Sequence, residues 1–205
     1  ANDYLDFEYA YPVNRQVIMD EKVASLLALD SLPKNSNQEY LAELLSYGKP
    51  GFNMPWLSKV SVAEMGTYMQ NVLLRDTDQM SMAHALEVRV PFLDHRLVEY
   101  ALSVSDDIKY PHSPKKLLVD SMGDLLPREI VDRPKMGFTF PWDVWLKNEL
   151  KDFAEKHLSA LGKRPYFDAK ELDSLWHKFL AGKVSWSRLW PLIVLENWML
   201  ANQVE

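Results

Sequence analysis

Cysteine is absent from this 205-residue chain. That absence excludes disulfides, thiolate metal sites and a cysteine nucleophile. Positive charge is also scarce. Lys and Arg number 23 against 29 Asp and Glu, a formal net charge of −6. General nucleic-acid binding is therefore poorly supported, because such domains carry a basic excess or a basic stripe. Long apolar runs are missing too. The most apolar stretch, Leu189 to Leu195, is seven residues, whereas a bilayer-spanning helix needs about 20. Ala1 to Glu8 has neither the basic region nor the apolar run of a secretory signal. The expected setting is cytoplasmic, with no membrane partner. No internal repeat and no low-complexity tract is evident.

What is present is enough apolar material for a packed domain. Hydrophobic residues make up 47% and aromatics 12% of the chain. The aromatic start, Tyr4, Phe7, Tyr9 and Tyr11, has no periodic partner. It reads either as a segment that docks elsewhere or as one that packs on its own domain. Most of the chain reads as helix. Ser36 with Glu39 forms a capping-box pattern ahead of Tyr40, Leu41, Leu44 and Leu45. Gly48 to Gly51 is a stop. Val62, Met65, Tyr68, Met69, Val72 and Leu73 recur at helical spacing over residues 61–74. Asp94 is placed to cap a helix bearing Leu97 and Tyr100. Ser113 and Pro114 read as a helix start. Asp168 with Glu171 is a further cap, and Gly182 closes the helix it opens. Ser185 to Leu200 reads as a last helix, kinked at Pro191. The expected fold is mainly α, with any strand limited to Leu86–Val90. There charged and apolar residues alternate ahead of Pro91. The only candidate break is the loop between His157 and Phe167, and it is short. Residues 1–205 are therefore treated as a single helical unit.

Two segments carry charge in an unusual setting. In Leu86-Glu87-Val88-Arg89-Val90, Glu87 and Arg89 fall on one face if the backbone is extended. They either form a structural ion pair on a solvated face or reach a polar ligand together. A carboxylate beside an apolar wall can act as a base or hold an amine. In Arg133-Pro134-Lys135-Met136-Gly137-Phe138, Lys135 is a point charge suited to a phosphate, with Arg133 as a helper. The bland alternative is a solvent-facing loop lysine, since no P-loop and no dinucleotide fingerprint is present. Asp76 and Asp78 are more simply helix-end acids than metal ligands. The histidines show no zinc spacing, and no metal site is expected. His157 lies on an apolar helical face and reads as a satisfied core or boundary residue. The methionines read as core filler.

Taken together, Arg75-Asp76-Thr77-Asp78-Gln79-Met80-Ser81-Met82-Ala83-His84-Ala85-Leu86-Glu87-Val88-Arg89-Val90-Pro91-Phe92-Leu93-Asp94 resembles the signature of the synthetase domain of glutamine-dependent asparagine synthetases. Leu126-Pro127-Arg128-Glu129-Ile130-Val131 followed by Arg133 to Phe138 resembles a second segment of that family, in the right order. The resemblance covers residues 55–200. It implies the helical C-terminal portion of an α/β adenylating synthetase domain.

The family's complete enzyme uses ATP and Mg²⁺ to adenylate the side-chain carboxylate of aspartate. Ammonia from a glutaminase domain then displaces AMP. The resemblance makes Lys135 a contact to the ATP phosphates and Glu87 a group near the adenylate. Arg133 and Arg75 stand beside the same site, and Arg89 and Asp94 are scaffolding. The Ser-Gly-Gly-x-Asp-Ser pyrophosphate loop and the first-residue cysteine of the glutaminase are not in this sequence. The chain thus resembles a C-terminal fragment whose partners are the N-terminal part of the synthetase domain and the glutaminase domain. Alone it is expected to be inactive, to hold no cofactor, and to self-associate as a homo-oligomer through uncovered apolar surface. Two other readings remain open. One is a relative that amidates another carboxylate, and the other is a non-enzymatic helical interaction module.

Overall fold

The computed structural model describes residues 6–33, 36–46, 53–110, 115–137 and 140–204. It is 69% helical, with no strand among the described residues. The mainly α expectation therefore holds. The short strand allowed at Leu86–Val90 does not form. Alternation and the following proline favour an extended backbone there, but a strand also needs a ladder partner, and the described residues supply none. The contacts divide the chain into two compact units. One comprises Ala1–Pro12 and Asn35–Met136, and the other Val13–Lys34 and Gly137–Glu205. The stretch between His157 and Phe167, expected as a loop, is helical as far as Leu161 and lies inside the second unit.

In the first unit, α1 (Phe7–Arg15) and α3 (Ser36–Ser46) flank one long helical run, Trp56–Met82. The run comprises α4 (Trp56–Glu64), a π-helical stretch Met65–Leu74, and α5 (Arg75–Met82). Backbone angles at both seams stay right-handed helical, −62°/−45° at Met65 and −62°/−47° at Arg75, so the run is unbroken. Phe7, Tyr11, Leu41 and Ala63 are buried together, with Leu44, Leu45 and Val60 against them. Phe7 meets Trp56 edge-on at 5.0 Å, and the Tyr11 hydroxyl donates to Glu64 Oε1 at 2.6 Å. Of the two readings of the aromatic start, Phe7 and Tyr11 follow the second, packing on their own unit. Tyr4 lies outside the described residues. Gly66 permits a close approach of α3, because a Cβ there would stand 2.5 Å from Leu44 Cδ2.

The remainder of this unit is thinly packed. It holds α6 (His95–Ser103), α7 (Asp106–Lys109), α8 (Lys116–Met122) and α9 (Arg128–Val131). None of the four contains a buried residue. The helix expected over 61–74 does form, yet Tyr68, Val72 and Leu73 on its apolar face are exposed. Asp94 caps α6 as its position implies, accepting from the Arg96 amide at 3.0 Å. The Gly48–Gly51 stop and the Ser113–Pro114 start lie outside the described residues.

The second unit has a true core. It contains α2 (Asp20–Leu26), α10 (Trp142–Lys147), α11 (Lys151–Leu161), α12 (Ala169–Leu180) and α13 (Trp190–Ala201). Leu146, Leu161, Phe179, Leu189 and Ile193 are fully enclosed. Asp168 caps α12 by accepting from the Lys170 and Glu171 amides at 2.8 and 3.1 Å. Gly182, at φ +71°, ends it. The Gly182 amide donates to the Phe179 carbonyl, and the Lys183 amide donates to that of Lys178. This pair of bonds is the Schellman closure that a residue of positive φ allows. His157 is buried, with Nδ1 2.7 Å from the Phe153 carbonyl.

The kink expected at Pro191 is corrected. A 3₁₀ turn, Trp186–Arg188, precedes α13, and Pro191 sits in the first turn of α13. Its missing N–H costs nothing there, because first-turn amides have no intrahelical acceptor. One charge sits in this core. Glu196, on the most apolar helix of the chain, receives Arg164 in a two-point pair at 2.6 and 3.2 Å.

Candidate active-site segments

The first motif begins on a helix and ends in a strained turn. Arg75 is the first residue of α5, and Asp76 and Asp78 follow in its first turn; all three are exposed. After Met82 the chain closes with the Leu86 amide donating to the Ser81 carbonyl at 3.0 Å and the Ala85 amide donating to that of Met82 at 2.9 Å. The closure places Ala85 at φ +56°. Glycine is the usual residue for that geometry, because a Cβ clashes with the neighbouring carbonyl in the left-handed region. This turn projects Leu86–Val90 out of the helix.

Glu87 and Arg89 pair with each other, Oε1 to Nη2 at 2.5 Å, and their side chains are 67% and 83% exposed. Of the readings open for these two residues, the structure displays a solvated ion pair. Such a pair contributes little to stability. Both side chains therefore remain on an exposed, irregular segment where a ligand can reach them. Asp94 makes a fork with Arg96, 3.1 Å to Nε and 3.1 Å to Nη2. That side-chain bond and the Arg96 amide hold the Asp94 carboxyl below the usual range. Asp94 is thus a cap and a scaffold.

The second motif leaves α9 and runs through Arg133, Pro134, Lys135, Met136 and Gly137, all exposed. Phe138 lies outside the described residues. Lys135 and Arg133 make no hydrogen bond or ion pair with the described residues, and no such bond links this loop to Glu87 or Arg75. Lys135 is a solvated ammonium on a Pro/Gly loop, as one reading of the sequence has it. Met136 is 86% exposed.

A polar network elsewhere in the first unit was not visible in the sequence. Asp106, from α7, reaches the start of α4. Its Oδ2 accepts from the Leu57 and Ser58 amides at 3.0 and 3.3 Å, and its Oδ1 accepts the Ser58 hydroxyl at 2.6 Å. Lys109 Nζ lies 3.1 Å from Asp106 Oδ1 and donates to Ser58 Oγ at 2.8 Å. Pro55 occupies the cap position of α4 without a side-chain bond, so a distant carboxylate supplies the cap. Burial pushes the Asp106 carboxyl up. The bonds from Ser58 and Lys109 more than offset that and leave it below the ordinary value. With the Ser58 hydroxyl donating to a carboxylate, this is a structural cap and not a nucleophile. No local motif announces it, because its members stand about 50 residues apart. Among the described residues no three His, Asp or Glu side chains converge on one point. No helix among the described residues is long and apolar enough to cross a membrane.

The family model described as Asparagine synthase matches residues 6–200. This chain belongs to the asparagine synthase family. The match includes both motifs. Asparagine synthetase [glutamine-hydrolyzing] 1 of Bacillus subtilis (strain 168) is 26% identical over 170 residues, 82% of this chain and 27% of that protein. The asparagine synthetase [glutamine-hydrolyzing] of Mus musculus is 43% identical over 86 residues, 38% of this chain and 15% of that protein. That of Gallus gallus is 47% identical over 66 residues, 30% of this chain and 12% of that protein. The chain thus spans well under two thirds of the curated relatives it matches. No solved structure matches it. The family is one of ligases, and it is ATP-dependent.

Proposed function

We propose that this chain is the helical part of a glutamine-hydrolysing asparagine synthetase. In the whole protein, the side-chain carboxylate of aspartate attacks the α-phosphorus of ATP, and pyrophosphate leaves. Ammonia derived from glutamine then attacks the acyl carbon of the adenylate, AMP leaves, and the nitrogen sheds a proton. The observation that carries this reading is the family match across residues 6–200, which takes in both motif segments.

The residue roles follow from charge. As the adenylate forms, negative charge moves toward the β-phosphate. An ammonium with no bond to give up can meet that charge at no cost, and Lys135 makes none with the described residues. Arg133, two residues earlier, adds a second cation from the same loop. Glu87 serves the amidation step. Its carboxylate is in reach of solvent and can take the proton that ammonia loses, after exchanging Arg89 for the incoming nitrogen. Arg75 stands at the start of α5 as a further contact for the nucleotide. Mg²⁺, when bound with ATP, offsets phosphate charge.

The partners in this reading are the N-terminal part of the synthetase domain, with its pyrophosphate loop, and the glutaminase domain. Exposed apolar residues on the motif-bearing unit support it: Met80, Leu86, Phe92, Leu125 and Met136 sit on or next to the two segments. Large apolar side chains left exposed beside a motif are the kind of surface that other protein covers. Acting alone, this chain should form no AMP. The test is to supply the full-length protein with ATP, Mg²⁺, aspartate and ammonia, then measure asparagine, AMP and pyrophosphate. Equimolar formation of the three supports the reading. AMP without asparagine, or formation only with a different carboxylate, overturns the substrate assignment. No ATP turnover with any carboxylate overturns the reaction.

A further inference from the structure

One groove of the second unit carries charge of a single sign. Leu175 and Lys178 stand three residues apart on α12 and so share a helix face. The chain reverses at Gly182 and returns through Val184 to Arg188, the last residue of the 3₁₀ turn. Ile18 and Met19, just ahead of α2, complete the apolar lining. Together these residues enclose about 220 Å³. All of them belong to the second unit. Leu175 is part of its buried core, and Ile18 and Val184 pack against that core, so the apolar wall is fixed.

The charged lining is wholly cationic: Lys22, Lys178 and Arg188. Lys22 is answered by its ion pair with Glu171. The side chains of Lys178 and Arg188 make no hydrogen bond or ion pair with the described residues. Arg188 is nonetheless half-buried. A guanidinium partly withdrawn from water, with no anion beside it, is short of the interactions that such a charge ordinarily gains. This local surplus runs against the net charge of −6 for the chain. The larger groove between α11 and α12 shows no such surplus, because Glu155 and Asp173 balance Lys151 and Lys163 there.

We propose that the groove binds a small monocarboxylate with an apolar body. The planar guanidinium of Arg188 matches the two oxygens of a carboxylate, and Lys178 adds a second positive charge. The hydrocarbon lies against Leu175 and Val184. An apolar cavity of about 150 Å³ accepts a benzene molecule, so this one has room for a body of about six carbons. The site does not depend on the synthetase reading, since none of its residues lies in either motif.

The test is calorimetric titration of the full-length protein with hexanoate, hexan-1-ol, hexylamine and hexyl phosphate, four probes that share one body. Hexanoate should bind with a Kd on the order of 1 mM and at least about tenfold more tightly than hexan-1-ol, which lacks the charge. Hexylamine should not bind. Arg188→Gln should weaken hexanoate about tenfold, and Arg188→Lys, which keeps the charge but not the fork, should fall between. Met19→Trp fills the groove from a wall residue that is 44% exposed and should abolish binding while both cations remain. Arg188 has no protein partner to lose, so its replacement should leave the melt in place; if it does unfold the protein, Met19→Trp and the comparison of probes still decide. No heat from hexanoate up to about tenfold above that Kd overturns the site. Equal binding of hexan-1-ol, or unchanged binding in Arg188→Gln, overturns the role of Arg188. Unchanged binding in Met19→Trp overturns the groove as the location. Tighter binding of hexyl phosphate than of hexanoate overturns the carboxylate assignment.

Discussion

Glu196→Ala should be among the most damaging single changes in the second unit. Glu196 is 1% exposed on a helix whose neighbours are Leu192, Ile193, Val194 and Leu195. Its two oxygens accept from Arg164 Nε and Nη2, while Arg164 Nη1 donates to the Val204 carbonyl at 2.6 Å. Glu196 raises the guanidinium above its already high ordinary value, so the arginine stays charged at any accessible pH. Truncating the carboxylate strips that charge of two of its three side-chain hydrogen bonds. The cost falls at the low end of the range for breaking buried pairs, because the Val204 carbonyl remains and one edge of the guanidinium meets water. The folded-to-unfolded ratio should drop roughly a hundredfold, and the melting temperature by on the order of 10 °C.

Tryptophan fluorescence during urea unfolding measures this cleanly. Six of the seven Trp residues belong to the second unit, Trp56 being the exception. The double variant Arg164→Met with Glu196→Leu should recover most of the loss, since apolar groups of similar size need no ionic partner. A Glu196→Ala protein within threefold of wild type, or a double variant as weak as the single, refutes the reasoning.

Three further outcomes concern the first unit and one the whole chain. Asp106 is depressed in the folded state, so its cap stabilises fully above the unfolded aspartate value of about 4 and is lost as pH falls through the lower folded value. Acid melts of wild type and Asp106→Asn should therefore converge below that window and separate above it; parallel curves would rule the cap out. Lys135→Ala should leave circular dichroism and the melt unchanged while slowing pyrophosphate release about a hundredfold, with only partial recovery in Lys135→Arg; equal rates for Lys and Arg would remove the point-charge argument. Glu87→Gln should also leave the melt unmoved, because an exposed pair contributes little, yet it should slow asparagine formation more than pyrophosphate release. A lower melt with normal amidation would make the Glu87–Arg89 pair structural. Sedimentation of this chain alone should show dimers or larger species as concentration rises, driven by the uncovered apolar residues; a monomer throughout the range would show that the patches are too scattered to associate.

Local chemistry was legible in the sequence wherever one residue acts on its near neighbours. Asp94 and Asp168 cap the helices they precede, Gly182 ends α12, and His157 is a satisfied core residue. Each of these depends on fewer than six residues. Interactions across long separations were not legible. Nothing near Asp106 points to Ser58, and nothing near Arg164 points to Glu196. The latter could have been suspected, since a lone carboxylate inside Trp190–Ala201 demands a partner. Leu86–Val90 shows a different limit. Alternation and Pro91 specify an extended backbone, but not a neighbour to bond to it. Ala85 could not have been foreseen, because its positive φ comes from the closure of α5 and alanine does not favour it.

The two units differ in a way that bears on the site. In the second, apolar periodicity and burial agree: Leu172, Leu175, Trp176 and Phe179 recur at helical spacing and all are buried. In the first, the same periodicity over Met65–Leu74 leaves the stretch with no buried residue. Hydrophobic pattern tells that a face is meant to be covered, not what covers it. The first motif and the Arg133–Met136 part of the second belong to the thinly packed unit, where Lys135, Glu87 and Arg75 face solvent. A catalytic charge gains from low dielectric only when water is excluded around it. In the roles proposed for them, these three residues would reach their full electrostatic effect only when further protein and nucleotide enclose them. That is the physical reason for expecting adenylation from the full-length protein and none from this chain by itself.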